Sequence, residues 1–355
     1  SAKDGYGDGH GNFGFNSYDG TGESQETTII VNVAGINDVA VATAQTVSAD
    51  EDIDKMITLS GTDKDGDPLI FKITTLPANG YLFQTNDGTT RADTINTVPT
   101  NVSNTSHKVI YVSAKDGYGD GHGDFGFKAS DGTNESEETI VIINVININD
   151  VAIGNLQIIN AEEDKDTTIT LSGTDVDGDS LAFSITTLPP NGHLFQTIDG
   201  KTKSDTINSV PTIVSSISDK VIFQSKKDEY GINYGNFGFT VNDGTSESAE
   251  VIVPINVINI NDLPTALVDT VSAEEDIDKT IIFSGTDVDG DTLTYKITTL
   301  PANGYLFQTS DGVTRGDTIK TVPTTLTDTT RVIYVSAKDG NGDGHGNFGF
   351  NSYDG

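Results

Sequence analysis

"LSGTDVDGDSLAFSI", Leu171–Ile185, sets three aspartates at alternate positions between two short stretches that carry apolar residues. Alternation over four to eight residues is the mark of a half-buried strand, and the Gly and Asp cluster between the stretches is turn chemistry. Almost the same letters stand as "GTDKDGD" from Gly61 and "GTDVDGD" from Gly285, and the positions 61, 173 and 285 fix a period of 112 residues. The acidic turn is therefore one feature of a tandem repeat.

The rest of the chain keeps the same period. "SAKDGYGDGHGNFGFNSYDG" at Ser1–Gly20 returns as "SAKDGNGDGHGNFGFNSYDG" at Ser336–Gly355, so the chain reads as a window on a repeating array. The triplets Ile36-Asn37-Asp38, Ile148-Asn149-Asp150 and Ile260-Asn261-Asp262 are the natural unit boundaries. They divide the chain into residues 1–38 (the end of a preceding repeat), 39–150 (repeat 1), 151–262 (repeat 2) and 263–355 (repeat 3, without its last strand).

Within repeat 1, β-branched and aromatic runs bounded by Gly, Pro, Asn and Asp predict strands near Ala44–Ser48, Lys55–Ser60, Leu69–Thr75, Gly80–Thr85, Lys108–Ser113, Phe125–Ser130 and Glu138–Ile146. No segment carries a helical period. Seven strands in a unit of this size fit a Greek-key, immunoglobulin-like β-sandwich, and the fold class expected is all-β, a tandem array of such sandwiches.

Composition narrows the partners. The chain has 53 acidic against 20 basic residues and a formal charge of −33, which disfavours nucleic acid and anionic membrane and favours cations. Hydrophobic residues make up 34%, enough for several small cores rather than one large one. There is no cysteine to staple these units, and a bound metal is an alternative fastening. No apolar run reaches membrane-spanning length, and no signal peptide precedes the first motif.

If successive strands alternate in direction, the loops sort to two ends. "SADED" (Ser48–Asp52), the "PANG" turn (Pro77–Gly80), "KDGYGDGHGD" (Lys115–Asp124) and the exit linker fall at one end; "GTDKDGD" and "SDGTNES" (Ser130–Ser136) fall at the other. Units stacked end to end would gather carboxylates at every junction. Such a cluster needs a hard cation, and Ca2+, with six to eight oxygen ligands in flexible geometry, suits a site collected from loops better than Mg2+ or Zn2+.

"LSGTDVDGDSLAFSI" resembles the cadherin segment in which A-T-D-x-D ends one strand and L-x-Y-x-I begins the next. "FGFKASDG" resembles the later V-x-A-x-D strand, "AEED" the glutamate after the first strand, and "NIND" the D-x-N-D-N linker. The likeness spans the whole period and is greatest to the bacterial cadherin-like tandem repeats of giant surface adhesins. It implies calcium at the repeat junctions. Carried over residue by residue, the ligands are Asn37, Asp38, Asp63, Asp65 and Asp131 before repeat 1. Between repeats 1 and 2 they are Glu51, Asn149, Asp150, Asp175, Asp177 and Asp243, and at the next junction Glu163, Asn261, Asp262, Asp287, Asp289 and Asp354. The cadherin L-D-R-E segment is missing; the loop bearing Asp116 and Asp120 stands near its place, and the linker lacks the second Asn, so one or two ions per junction are expected. Repeat 2 writes this loop "KDEYGINYG", with Ile232 for Asp120 and Tyr234 for His122, which predicts a weaker junction at Asn261-Asp262 than at Asn149-Asp150.

Other readings are weaker. An EF-hand would need a helix and a later Glu, and "GYGDGHGDFG" lacks the Lys and the helix of a phosphate loop. His10, His122 and His345 recur, but repeat 2 has no histidine there. The expected function is a calcium-stiffened extracellular structural or adhesive array, a stalk, filament or matrix component of a large cell-surface protein, whose partners are calcium and other copies of the repeat. The alternative is a carbohydrate-binding module using Tyr81 and Tyr305 on surface glycans, although the chain lacks Trp. No recurrent nucleophile and base accompany the acids, so an enzyme is not expected.

Overall fold

A computed structural model describes residues 5–215 and 217–354. It divides into two compact units, one running to Val151 and including Asp175–Asp179, the other comprising Ala152–Thr174 and the chain from Ser180 onward. The described residues are all β, in tandem two-sheet sandwiches, with no helix among them.

In the first unit, one sheet orders Gln45–Asp50, Thr139–Ile146, Phe125–Ser130, Ile70–Thr75 and Thr100–Asn101. The facing sheet orders Lys55–Thr58, Lys108–Val112, Tyr81–Gln84 and Thr94–Ile95. The first and last main strands run parallel, from Gln45 opposite Val141 to Asp50 opposite Ile146, while the other pairs in this unit are antiparallel. That parallel pairing brings the end of the first strand beside the exit linker.

The period-2 pattern explains which residues enter the core. Along Thr139–Ile146, Val141, Ile143 and Val145 face inward and are buried, whereas Ile140, Ile142 and Ile146 face out. Phe71 and Phe127 meet between the sheets with ring centroids 5.9 Å apart. Each such side chain, moved fully from water, contributes roughly 1.5–3 kcal/mol. Short strands that the alternation pattern does not reveal, Val41–Ala42 with Gly61–Thr62 and the pieces at Thr94–Ile95 and Thr100–Asn101, pin the remaining connections. They are too short to show a period.

The second unit repeats this plan. Ile159–Glu162 runs parallel to Val251–Ile258, which pairs with Gly231–Asn242, itself beside Ala182–Thr187; Thr167–Thr170, Lys220–Gln224 and His193–Gln196 form the facing sheet. Farther along, Lys279–Ile282, Arg331–Val335 and Tyr305–Phe307 form one sheet, and Thr324–Thr325, Thr294–Thr299 and Gly349–Tyr353 another.

One packing detail fixes the loop that matters for the acids. Tyr111 is fully buried and donates from its hydroxyl to the Asn79 carbonyl at 2.8 Å, joining the "PANG" turn to the sheet. Its ring lies where a Cβ on Gly123 would stand, 2.2 Å away, so the fifth-to-sixth-strand loop folds over this ring only with glycine there. Repeat 2 has Phe223 at the equivalent position, and Tyr234 moves its ring against it at 6.4 Å between centroids. The Tyr234 hydroxyl donates to Glu229 Oε2 and accepts from the Lys226 N–H. The exchange of His122 for Tyr234 is thus part of a rearranged loop anchor.

Candidate metal centre

The acids come together through backbone N–H groups. Glu51, at the end of the first strand, is 4% exposed; its Oε1 accepts the Ile148 N–H of the exit linker at 2.6 Å, and its Oε2 is buried with no hydrogen-bond partner. The Asp150 N–H donates to Asp177 Oδ2 at 2.7 Å. One oxygen from each of Glu51, Asp150 and Asp177 lies within 4.8 Å of the others. Within the same turn Asp175, Asp177 and Asp179 form a further group, in which Asp175 Oδ1 accepts the Asp179 N–H and Asp175 Oδ2 is buried and unpartnered. Asn149 donates to the Asp150 carbonyl.

The entry to repeat 1 has the same design. Asp38 N–H donates to Asp65 Oδ2 at 2.6 Å, and Asn37 Nδ2 donates to Asp131 Oδ2 at 3.0 Å. Asp63 Oδ1 accepts from the Asp65 and Asp67 N–H groups, while its Oδ2 is buried and unpartnered. The N–H groups of Asn134 and Thr133, with the Asn37 amide, hold the Asp131 carboxyl below its ordinary range.

In the second unit, Glu163 is 2% exposed, its Oε1 accepts the Ile260 N–H at 2.8 Å, and its Oε2 again lacks a partner. Asp262 N–H donates to Asp289 Oδ2, and Asn261 Nδ2 donates to Asp354 Oδ2, both at 2.7 Å. Asp287, Asp289 and Asp291 converge, with Asp287 Oδ2 and Asp289 Oδ1 unpartnered. Asp243 is buried in its own turn, where its carboxylate accepts the Thr245 and Ser246 N–H groups.

Two further acids per repeat stand near the linker aspartate, and in repeat 2 they join it in a converging group. Asp52 and Asp116 both adopt left-handed backbone, φ 55° and 54°, and the Asp116 N–H donates to Asp52 Oδ1 at 3.2 Å. Asp164 and Asp228 repeat this at φ 56° and 55° and 3.0 Å, and together with Asp262 they offer oxygens within 4.8 Å. Asp tolerates this conformation better than most L-residues. The recurrence of Asp after Glu51 and Glu163, and of Lys-Asp in the following loop, was the available signal. Desolvation, then the charges of Asp116 and Asp177, pushes the Asp150 carboxyl up; desolvation, then Asp228 and Asp289, does the same to Asp262.

Asp120 stands apart. It is exposed and belongs to none of the converging groups among the described residues. Ile232, which replaces it in repeat 2, is 87% exposed. The acid that does approach the linker, Asp116, is retained as Asp228 in repeat 2.

The donors are hard oxygens at several heights along loops, with no His or Cys in any group. That set fits a large, oxygen-preferring divalent cation, and the orphaned Glu51 and Glu163 oxygens are the positions that most need one.

No protein-family model matches the chain. The chain is similar to Integrin beta-like protein E of Dictyostelium discoideum, 27% identical over 330 residues, which cover 84% of this chain and 16% of that protein. Integrin beta-like protein C of the same organism is 28% identical over 331 residues, 82% of this chain and 16% of that protein. The chain thus spans 16% of the length of these curated relatives. Among solved structures, extracellular cadherin domains 1–5 of protocadherin gamma B2 match with a TM-score of 0.50 at 13% identity, covering 88% of this chain and 56% of that one. At that identity the likeness speaks for the fold. Among the described residues no helix is long and apolar enough to cross a membrane.

Proposed function

We propose that the chain is a tandem array of cadherin-like sandwiches, bounded at residues 38, 150 and 262, whose junctions bind calcium. On this reading it serves as a stiffened adhesive or stalk segment of an extracellular surface protein. The observation that carries the reading is the Glu51 carboxylate, 4% exposed, with one oxygen fixed by a linker N–H and the other unpartnered near two aspartates. Glu163 repeats it. A buried charge left in that state costs free energy, and a divalent cation shared with Asp150 and Asp177 removes the cost.

The functional residues on this reading are the glutamate after the first strand, the linker Asn and Asp, the paired acids of the "GTDxDGD" turn and the Asp of the last turn, joined by Asp52, Asp116 and their counterparts. On this reading the role is structural, because the acids are tied to linker backbone.

Small-angle scattering of the chain in calcium and in chelator tests the proposal. Calcium, bound at roughly 10⁻⁴ to 10⁻³ M as in other extracellular modules, narrows the distribution of dimensions, while the β-sheet circular dichroism persists in chelator. Identical scattering in both conditions overturns it.

A further inference from the structure

We propose that Lys115 and Lys227 are resident counter-ions of the metal-free junctions, which a divalent cation must displace to occupy the outer part of each acid group. The inference rests on the cation-binding reading above and adds to it a competing group carried by the chain.

The lysine is placed identically in both units. Lys115 Nζ donates to both carboxylate oxygens of Asp116, at 2.8 and 2.6 Å, and Lys227 Nζ to both oxygens of Asp228, at 2.7 Å each. The acids themselves are held in place: each sits in a left-handed turn with its N–H on Asp52 or Asp164. The ammonium also feels Asp52 and Asp150 in one unit and Asp164 and Asp262 in the other, and these neighbours, after the directly bonded aspartate, hold both lysines above their ordinary range. The lysine side chains are 82% and 79% exposed, so nothing packs them in this position and they are free to swing away.

The inner part of each group is different. Glu51 Oε2 and Glu163 Oε2 are buried and unpartnered. Each junction therefore has an inner glutamate oxygen without a partner and an outer aspartate whose charge the chain itself offsets. A cation fills the inner half without competition. At the outer half it gains only the difference between its own interaction and that of the departing ammonium. Two phases of binding follow, the weaker one set by the lysine.

The test is calorimetric titration of the full chain with calcium at low ionic strength, comparing wild type, Lys115→Met/Lys227→Met, Lys115→Arg/Lys227→Arg, and Lys320→Met. Lys320 is exposed and outside every acid group, so its variant controls for net charge. The Met pair tightens the weaker phase by about two- to fivefold, the scale of one exposed ion pair, and leaves the tighter phase unchanged. The Arg pair behaves as wild type, and Lys320→Met changes neither phase. In wild type, the rate of acetylation of Lys115 and Lys227, followed by mass spectrometry, rises on calcium saturation while that of Lys320 does not. A weaker phase that the Met pair leaves unchanged, or lysine reactivity indifferent to calcium, overturns the displacement with calcium binding intact. Absence of any saturable binding in wild type overturns both readings.

Discussion

Glu51→Gln separates a structural role from a cation-binding one because the two predict opposite signs. Gln preserves the oxygen that accepts the Ile148 N–H at 2.6 Å, so the tie to the linker survives. What disappears is the charge on a side chain only 4% exposed, whose second oxygen has no partner and stands within 4.8 Å of carboxylate oxygens of Asp150 and Asp177. An unsatisfied buried polar group costs about 1–3 kcal/mol. The Gln amide replaces it with a donor to those aspartates, so in chelator the variant is expected to be more stable by about 1–2 kcal/mol. For a sandwich of this size that is a rise in Tm of roughly 4–8 °C per kcal/mol. In calcium that advantage shrinks by about 1 kcal/mol. With a dissociation constant of about 0.1–1 mM, 10 mM calcium adds about 1.4–2.7 kcal/mol to the wild type. Removing one charged ligand weakens binding by about tenfold, and the gain falls to about 0.4–1.4 kcal/mol. Differential scanning calorimetry of the full chain with and without calcium reads both changes. A Glu51→Gln chain that melts lower in chelator, or that keeps the full calcium gain, refutes the reasoning.

Further expectations follow from the same geometry. Asp177→Asn keeps an acceptor for the Asp150 N–H but removes a charge, so calcium titration should lose the Glu51 group and spare the Glu163 group; equal loss at both would contradict the assignment of this turn to the first unit. Asp116→Asn suits the left-handed backbone and should lower calcium affinity several-fold, whereas Asp120→Asn should leave it unchanged, and the reverse ranking in a titration would restore Asp120 as a ligand. Asp150 and Asp262 have folded pKa values raised above the ordinary 3.8, so the folded chain binds more protons than the unfolded one between that value and the raised one. Stability in chelator should then rise as the pH falls from neutrality through that window. The carboxyls held low by backbone N–H groups, Asp87 and Asp131 among them, act in the other direction from about pH 5 downward, as the unfolded chain begins to take up protons. Chelator melts between pH 7 and pH 5 whose Tm falls steadily with acidification would contradict this.

The sequence by itself determined the period, the all-β class and the strands of repeat 1, because these rest on local patterns. The alternation that buries Val141, Ile143 and Val145 is visible in their own spacing, and the structure places seven main strands within two residues of those expected. It also marked the acids of the turn, the linker and the first-strand glutamate as candidates, through recurrence every 112 residues. Only the tertiary structure decided which of their oxygens are paired. Glu51 meets Ile148 across 97 positions of chain, and Asp116 meets Asp52 across 64, contacts that exist only once the first and last strands lie parallel in one sheet. Asp120 and Asp116 look alike in the sequence, four residues apart in one acidic loop. The Tyr111 ring beneath Gly123 and the left-handed turn at Asp116 help fold that loop so that one carboxylate approaches the linker and the other faces water. Composition cannot distinguish them, because the difference is the direction in which a folded backbone points two identical side chains.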